Sequence, residues 1–176
     1  AHRLMGKWQP SAAFYQSLYD PDTTDADHSR PYPFCLAYPL EKAPETLGDP
    51  ADWRAEWKWD GIRAQLIRRA GHTYLWSRGE ELITDGFPEL ALAAERLPAG
   101  TVLDGELLPW QAGQALPFAE LQKRINRKKL TRKVMEEVPV ILLAYDLLEH
   151  QGHDLREQPF HYRRALLEDM LAPLPE

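Results

Sequence analysis

The stretch Glu56-Trp57-Lys58-Trp59-Asp60-Gly61-Ile62-Arg63 decides how the rest of the chain is read. Asp-Gly between two runs rich in aromatic and apolar residues is a strong two-residue hairpin signal. On that reading Trp53 to Trp59 is one strand and Ile62 to Arg69 is the next. Trp59 then faces Ile62, and Lys58 faces Arg63, with Cβ atoms about 5 Å apart. Glu56 falls on the same face as Lys58, two residues back. A carboxylate, an amine and a guanidinium thus share one face, and the flanking tryptophans exclude water from one side of it.

A lysine with its ordinary pKa near 10.4 is a free amine in only about one molecule in 2,500 at neutral pH. Cationic neighbours and partial burial disfavour the ammonium form and make such an amine nucleophilic. Two cations set side by side repel unless an anion lies between them. The arrangement therefore suits attack on a phosphate, with Arg63 steadying the phosphate or its sugar while Lys58 attacks. By itself the tetrapeptide Lys-x-Asp-Gly is weak, because most such turns are exposed hairpins with solvated charges.

Outward from this turn the chain reads as alternating strands and helices. Gly71 marks a turn, and Thr73 to Ser77 a third strand. Phe87 to Leu97 has helical spacing, with Pro88 in its first turn. Thr101 to Trp110 is a strand closed by turn residues around Gly113. Phe118, Leu121 and Ile125 line the inner face of a basic helix ending near Lys129, and a second short helix starts after Thr131. Val140 to Leu148 is a continuous apolar strand expected to be buried on both faces. Gln158 to Leu171 is a final helix, with Pro159 near its start. The order implies an α+β domain whose mixed, partly antiparallel sheet is flanked by helices. Before it, residues 1–19 look helical in pieces, with Leu4, Met5 and Trp8, then Phe14, Tyr15 and Leu18 after an N-cap expected at Ser11. Asp20 to Pro33 reads as a linker or surface loop.

The 176 residues are 44% hydrophobic and 27% charged, which is ordinary globular composition. No run is long and apolar enough for a membrane helix, and the N-terminus lacks the order of a secretory signal. Cys35 is the single cysteine, so no intrachain disulfide or thiolate zinc cluster can form; a reducing cytoplasm suits that count. The formal charge of −6 hides an asymmetry. Lys123, Arg124, Arg127, Lys128, Lys129, Arg132 and Lys133 are seven of the 21 basic residues, with no acid among them. On a helix, Arg124, Arg127 and Lys128 point outward, where they and Lys129 could meet nucleic-acid phosphates without reading sequence. The alternative is a solvated face. Gly100 and Gly105 have P-loop spacing, but Glu106 and Leu107 follow in place of Lys and Ser or Thr, so a Walker-type site is ruled out. His150 and His153 flank Gln151-Gly152 and read as a surface turn rather than a metal pair.

Lys58-Trp59-Asp60-Gly61-Ile62-Arg63 resembles motif I of the covalent nucleotidyltransferases, which include ATP-dependent DNA ligases, RNA ligases and mRNA capping enzymes. Three further segments follow in family order. Leu75-Trp76-Ser77-Arg78-Gly79 is similar to the strand and turn carrying a second substrate arginine. Leu103-Asp104-Gly105-Glu106-Leu107 resembles motif III, and Ala144-Tyr145-Asp146-Leu147-Leu148 resembles motif IIIa. The resemblance covers most of residues 31–171. It is nearest to the bacterial ATP-dependent DNA ligases, which the phrases Arg30-Pro31-Tyr32-Pro33-Phe34 and Ser77-Arg78-Gly79-Glu80-Glu81-Leu82 also resemble.

The resemblance implies a fold and a set of roles. Residues 31–176 would form part of an adenylation (nucleotidyltransferase) domain of ATP-grasp-like build, and residues 1–30 the end of an N-terminal DNA-binding domain with its linker. Lys58 would take AMP from ATP as a phosphoramidate and pass it to a DNA 5′-phosphate at a nick. Glu56 would contact the adenine amino group, and Trp57 would lie beside the nucleotide. Arg63 and Arg78 would bind sugar or phosphates. Glu106 would hold the ribose or approach Mg2+ (or Mn2+), and Tyr145 would stack on adenine. Asp60, Gly61 and Asp104 complete the motifs. The implied partners are ATP and nicked double-stranded DNA, acting on a monomeric protein in the nucleoid-associated cytoplasm. A later Glu-Gly-x-x-x-Lys segment, a further lysine motif and an OB-fold domain do not occur in this sequence, so the piece is expected to be incomplete and to seal nicks poorly alone. An RNA ligase, a capping-type transferase and a noncatalytic nucleic-acid-binding remnant remain as alternatives.

From the residues alone, the same-face acids Asp104 and Glu106 need a partner, a metal or hydrogen bonds. Gly105 between them allows close approach. Tyr145, inside an apolar strand, would ordinarily be core packing, and Arg78 before Gly79 an ordinary surface turn.

Overall fold

In the computed structural model, which describes residues 10–17, 28–125, 127 and 130–174, β1 (Ile62–Arg69) runs through the middle of the sheet. Its partner β2 (His72–Ser77) is joined to it by the two-residue loop Ala70-Gly71, both at positive φ (49° and 78°). That geometry matches the twist of the flanking strands, and Gly71 supplies half of it without steric cost. On its other edge β1 pairs with β3 (Thr101–Gln111), which pairs in turn with β5 (Val140–His150). Short β4 (Gln114–Ala115) and β6 (His153–Asp154) close hairpins on β3 and β5. The main order is β2-β1-β3-β5-β6, and every described pairing is antiparallel.

Five helices accompany the sheet among the described residues: α1 (Ala12–Ser17), α2 (Pro88–Ala93), α3 (Phe118–Ile125), α4 (Arg132–Glu137) and α5 (Phe160–Leu171). The helical stretch from Phe87 divides into α2 and a 3-10 turn at Ala94–Arg96. Pro88 sits in its first turn, where a missing N–H costs nothing. α4 starts after Thr131 as expected, and the Thr131 side chain caps it by accepting from the Val134 N–H. One core, including Leu66, Leu75, Leu103, Leu121, Leu147 and Leu167, joins the sheet to its helices. A smaller cluster of Ile67, Trp76, Val102 and Leu148 lies on the other face, with Tyr32 and Tyr74 against it.

Four expectations are corrected. Residues Trp53 to Asp60 are not a strand, and Asp60-Gly61 is not a hairpin loop, because β1 already has strands on both edges. Gly61 serves a different need: a Cβ there would stand 2.3 Å from the Leu107 carbonyl oxygen. Val140–Leu148 is only partly buried along Ile141–Asp146, since β6 pairs with β5 only at Glu149 and His150. On α3 the inward residues are Leu121 and Arg124, while Ile125 is exposed. The expected helical stretch at Leu4–Trp8, Leu18, most of the linker, Lys128 and Lys129 lie outside the described residues. His150 and His153 face each other across the β5–β6 hairpin, and no described group of three or more His, Cys, Asp or Glu converges on a metal-sized site.

Candidate active site

A cavity of about 980 Å³ opens where the coil before β1 meets the β2–α2 turn and the end of α3. Lys58, Arg63, Arg78, Glu106 and Tyr145 all line it, as do Glu56, Trp57, Asp60 and Gly61. The sequence-derived site therefore converges, although by a route different from the expected hairpin.

The coil carrying Lys58 is pinned at three points. The Glu56 carboxylate lies 3.5 Å from both Arg54 and Arg164 of α5. Trp59 packs edge-on against Trp110 of β3, with centroids 6.2 Å apart. The Gly61 backbone N–H faces the Glu106 carboxylate and favours its charged form. Between these anchors Lys58 is exposed and has no ion pair among the described residues. Trp57 is 84% exposed, so the tryptophans do not bury the amine together; one packs and the other faces solvent.

Arg63 is not opposite Lys58. It is in register with Glu106, and its guanidinium is committed to Asp104, with Nε to Oδ1 at 3.0 Å and Nη2 to Oδ2 at 2.8 Å. Its Nη1 donates to the Cys35 carbonyl at 2.9 Å, and the group lies 5.2 Å from the Tyr145 ring centroid. Asp104 is thus the buried acid that finds its partner. Burial pushes its carboxyl up against the pull of Arg63, and the same hydrogen bonds push Arg63 further up. Gly105 allows the close approach read from the sequence: a Cβ there would sit 2.6 Å from the Leu143 carbonyl oxygen, beside an irregularity in the β3–β5 pairing.

Glu106 is half-buried, and burial pushes its pKa up against the Gly61 N–H and the charges of Arg63, Lys58 and Arg78. Tyr145 is also pushed up, first by burial and then by the negative charge of Asp104. Arg78 is exposed, and its backbone N–H donates to the Arg63 carbonyl at 2.8 Å. No described acid pairs with its side chain. The cavity wall therefore offers two uncommitted cations, Lys58 and Arg78, beside a half-buried carboxylate and an aromatic ring.

Arg124, expected to point outward, is 1% exposed. It bonds Glu89 of α2, the Val138 carbonyl at 2.9 Å and the Gly86 carbonyl at 2.8 Å, and lies over the Phe87 ring. It builds the cavity wall rather than an outer nucleic-acid surface. A signal existed, since Arg124 follows Leu121 by three residues and so shares its stripe. Arg127 is exposed and lines the cavity rim, its Nε donating to the Lys123 carbonyl at 3.0 Å. Sequence reasoning missed Phe87 and Arg124 as wall residues, and Glu89 as the acid that holds Arg124, because only the fold brings them together.

Glu56, Asp60, Glu81 and Glu106 line the cavity without three described acids converging into a metal cage, so Glu106 alone is considered as a ligand. It suits Mg2+, which commonly binds one or two carboxylates and takes its remaining ligands from phosphates and water.

Comparison with known proteins gives a consistent picture. The family model described as "ATP dependent DNA ligase domain" matches residues 35–176. A "Probable DNA ligase" of Opitutus terrae is 50% identical over 120 residues, covering 68% of this chain and 12% of that protein. A "Probable DNA ligase" of Koribacter versatilis is 39% identical over 142 residues, covering 81% of this chain and 25% of that protein. Among solved structures, the ligase domain of M. tuberculosis LigD aligns with a TM-score of 0.56 and 30% identity, over 69% of this chain and 39% of that one. A mycobacterial DNA ligase D complexed with ATP aligns with a TM-score of 0.54 and 32% identity, over 68% and 36%. The chain spans no more than a quarter of the length of these two curated relatives.

Proposed function

The chain belongs to the ATP-dependent DNA ligase domain family, and from that premise we propose that it supplies the nucleophile and part of the nucleotide pocket of a nick-sealing ligase. The observation that carries this reading is the uncommitted Lys58 amine on the wall of a cavity it shares with Arg78, Glu106 and Tyr145. Residues 31–176 act as the front part of the adenylation domain, and residues 1–30 belong to a preceding DNA-binding unit.

ATP is the first substrate. Its adenine lies against Tyr145, with Glu56 at the amino group and Trp57 at the rim. Its ribose meets Glu106, and its α-phosphate is presented to Lys58. Lys58 loses a proton and its Nζ attacks the α-phosphorus. A P–N bond forms, the P–O bond to the β-phosphate breaks, and pyrophosphate leaves. Arg78 and the remaining N–H groups of Arg63 stabilise the charge developing on phosphate oxygens. Asp60 and Gly61 set the path of the coil, and Asp104 holds Arg63. Mg2+ or Mn2+ bound at Glu106 and the phosphates would supply charge neutralisation.

Nicked double-stranded DNA is the second substrate. An oxygen of its 5′-phosphate attacks the lysyl-AMP phosphorus, which frees Lys58. The adjacent 3′-hydroxyl then attacks the activated 5′-phosphorus, and AMP leaves as the strand closes. Arg127 on the cavity rim contributes phosphate contacts without sequence preference, and Lys128 and Lys129, next to it in the sequence, add basic charge to the same run.

Incubation of the full-length protein with α-labelled ATP tests this. Label should stay on the protein through denaturation, and Lys58→Ala should remove it. Label persisting in Lys58→Ala overturns the reading.

A further inference from the structure

The segment 29–37 lies along one face of β1 as a strap, and side chains at alternate positions of that strand hold it. Arg69 donates through Nη1 to the Arg30 carbonyl at 2.9 Å. Ile67 belongs to the apolar cluster against which Tyr32 packs. Gln65 grips the Tyr32 backbone at both ends: it accepts from the Tyr32 N–H at 2.8 Å and donates to the Tyr32 carbonyl at 3.1 Å. Arg63 donates to the Cys35 carbonyl at 2.9 Å. The strap thus runs antiparallel to β1, and its next residues carry Ala37 to the cavity.

Gln65 is a fully buried polar side chain, 0% exposed, and among the described residues both bonds of its amide go to this one residue. A side-chain amide bonded to both backbone groups of a single residue fixes the register of that residue as a neighbouring strand would. The fixed residue lies three positions before Cys35 in the strap. Of the five N–H groups of Arg63, Asp104 takes two and Cys35 takes one, which leaves one on each terminal nitrogen for a substrate. Asp104 fixes one edge of the guanidinium, and the Cys35 carbonyl fixes Nη1. A strap out of register would remove that third bond and leave the guanidinium free to swing about its Asp104 edge over Tyr145.

The geometry points to Gln65 as a positioning residue for Arg63: by registering the strap on β1 it places the Cys35 carbonyl that holds the guanidinium at the cavity wall. The inference rests on the adenylation reading, because it is in that reaction that Arg63 meets phosphate or sugar.

The test uses the full-length protein and single-turnover formation of the labelled lysyl adduct, resolved into a saturating rate and a half-saturating ATP concentration. Gln65→Met keeps the volume and loses both bonds; Gln65→Glu keeps the acceptor and loses the donor. Trp76→Phe is the control, since it removes the Trp76 Nε1 bond to the Ser29 carbonyl at the far end of the strap and leaves the Gln65 clamp intact. The saturating rate of Gln65→Met should fall about tenfold, within the ~10²-fold that misplacing a reacting group by 1 Å can cost. Gln65→Glu should fall less, with half-saturating ATP within about twofold of the parent in both. Trp76→Phe should keep the parent rate when compared at the same margin below its own melting temperature. Rates that fall equally in Trp76→Phe and the Gln65 variants reduce the effect to general loosening and overturn the inference. So does a parent rate in folded Gln65→Met, or failure of both Gln65 variants to fold. If Gln65→Met alone fails to fold, Gln65→Glu decides by the same comparison. Label surviving in Lys58→Ala sinks the adenylation reading itself, whereas normal labelling in folded Gln65→Met sinks only the role of Gln65.

Discussion

The two ends of the central sheet hold their charges in opposite ways. At the strap end Arg69 pairs with Glu149 and Arg156 with Asp154. Glu149 accepts from Arg69 and from the Tyr32 hydroxyl at 2.7 Å, and Arg69 and Arg156 lie over the two-sided Tyr32 ring at 5.3 and 4.2 Å. Burial pushes Glu149 up, but the hydrogen bonds from Arg69 and Tyr32 outweigh it and hold the carboxyl below its ordinary value. Burial and the bond to Glu149 also push the Tyr32 phenol up to about 12. At the cavity end, Glu106 is pushed up, and Lys58 and Arg78 stand without described acidic partners. A carboxylate held below its ordinary pKa stabilises the fold, whereas one held above it is costly to ionise and is kept for another reason. The difference separates a structural clasp from a working surface.

The sharpest way to break the comparison is through the basic segment, which contains both kinds of cation. Arg124→Met should cost about 3 kcal/mol, as expected for removing one partner of a buried pair, measured by denaturant unfolding. Arg127→Ala should change stability by less than about 0.5 kcal/mol and instead weaken DNA binding and lower its salt dependence. Equal stability costs would mean that Arg127 is as structural as Arg124. Gly61→Ala should come next, at roughly 1–3 kcal/mol for overpacking against Leu107, with a larger fractional loss of adduct formation because Lys58 sits on the displaced coil. A folded, fully active Gly61→Ala would show that the close approach does not matter.

Glu149→Gln should cost about 2 kcal/mol at neutral pH, typical of hydrogen bonds to a charged group. Because the folded pKa lies below the unfolded one, this contribution is present above the ordinary carboxylate value of 4.5 and fades as pH falls through the folded value. The difference between parent and variant should therefore shrink in acid. Glu106→Gln should do the reverse at neutral pH: it stabilises by roughly 0.5–1 kcal/mol while slowing adduct formation, the usual exchange at a site built for function. Its folded pKa is raised, so the cost of ionising Glu106 is absent below the ordinary value and grows as pH rises through the folded one. The gain should vanish in acid. A Glu106→Gln protein less stable than its parent at neutral pH would erase the contrast between the two ends.

Much of this was legible in residue order. The strands Ile62–Arg69 and Thr101–Gln111 stand within a residue of where apolar content and the turn residues Gly71 and Gly113 put them, although both are buried over runs of consecutive residues and not at alternate positions. The four motifs also name Lys58, Arg63, Arg78, Glu106 and Tyr145, which line the cavity. Lys58 and its coil were misread because Asp60-Gly61 carries the same dipeptide signal whether glycine closes a turn or merely makes room. Arg124 was misread because charge weighed more than its place three residues after Leu121.

The sequence by itself determined which groups are available for chemistry: one lysine amine, two arginines, two acids and a tyrosine within short motifs. Their covalent order is enough to identify them. Only the tertiary structure decided which of them are already spent. Arg63 is held by Asp104 and the Cys35 carbonyl, Arg124 by Glu89, and Lys58 and Arg78 by no described acid. The physical reason is that a charge is neutralised by what lies within a few ångströms in space, and those partners come from segments far apart in the chain.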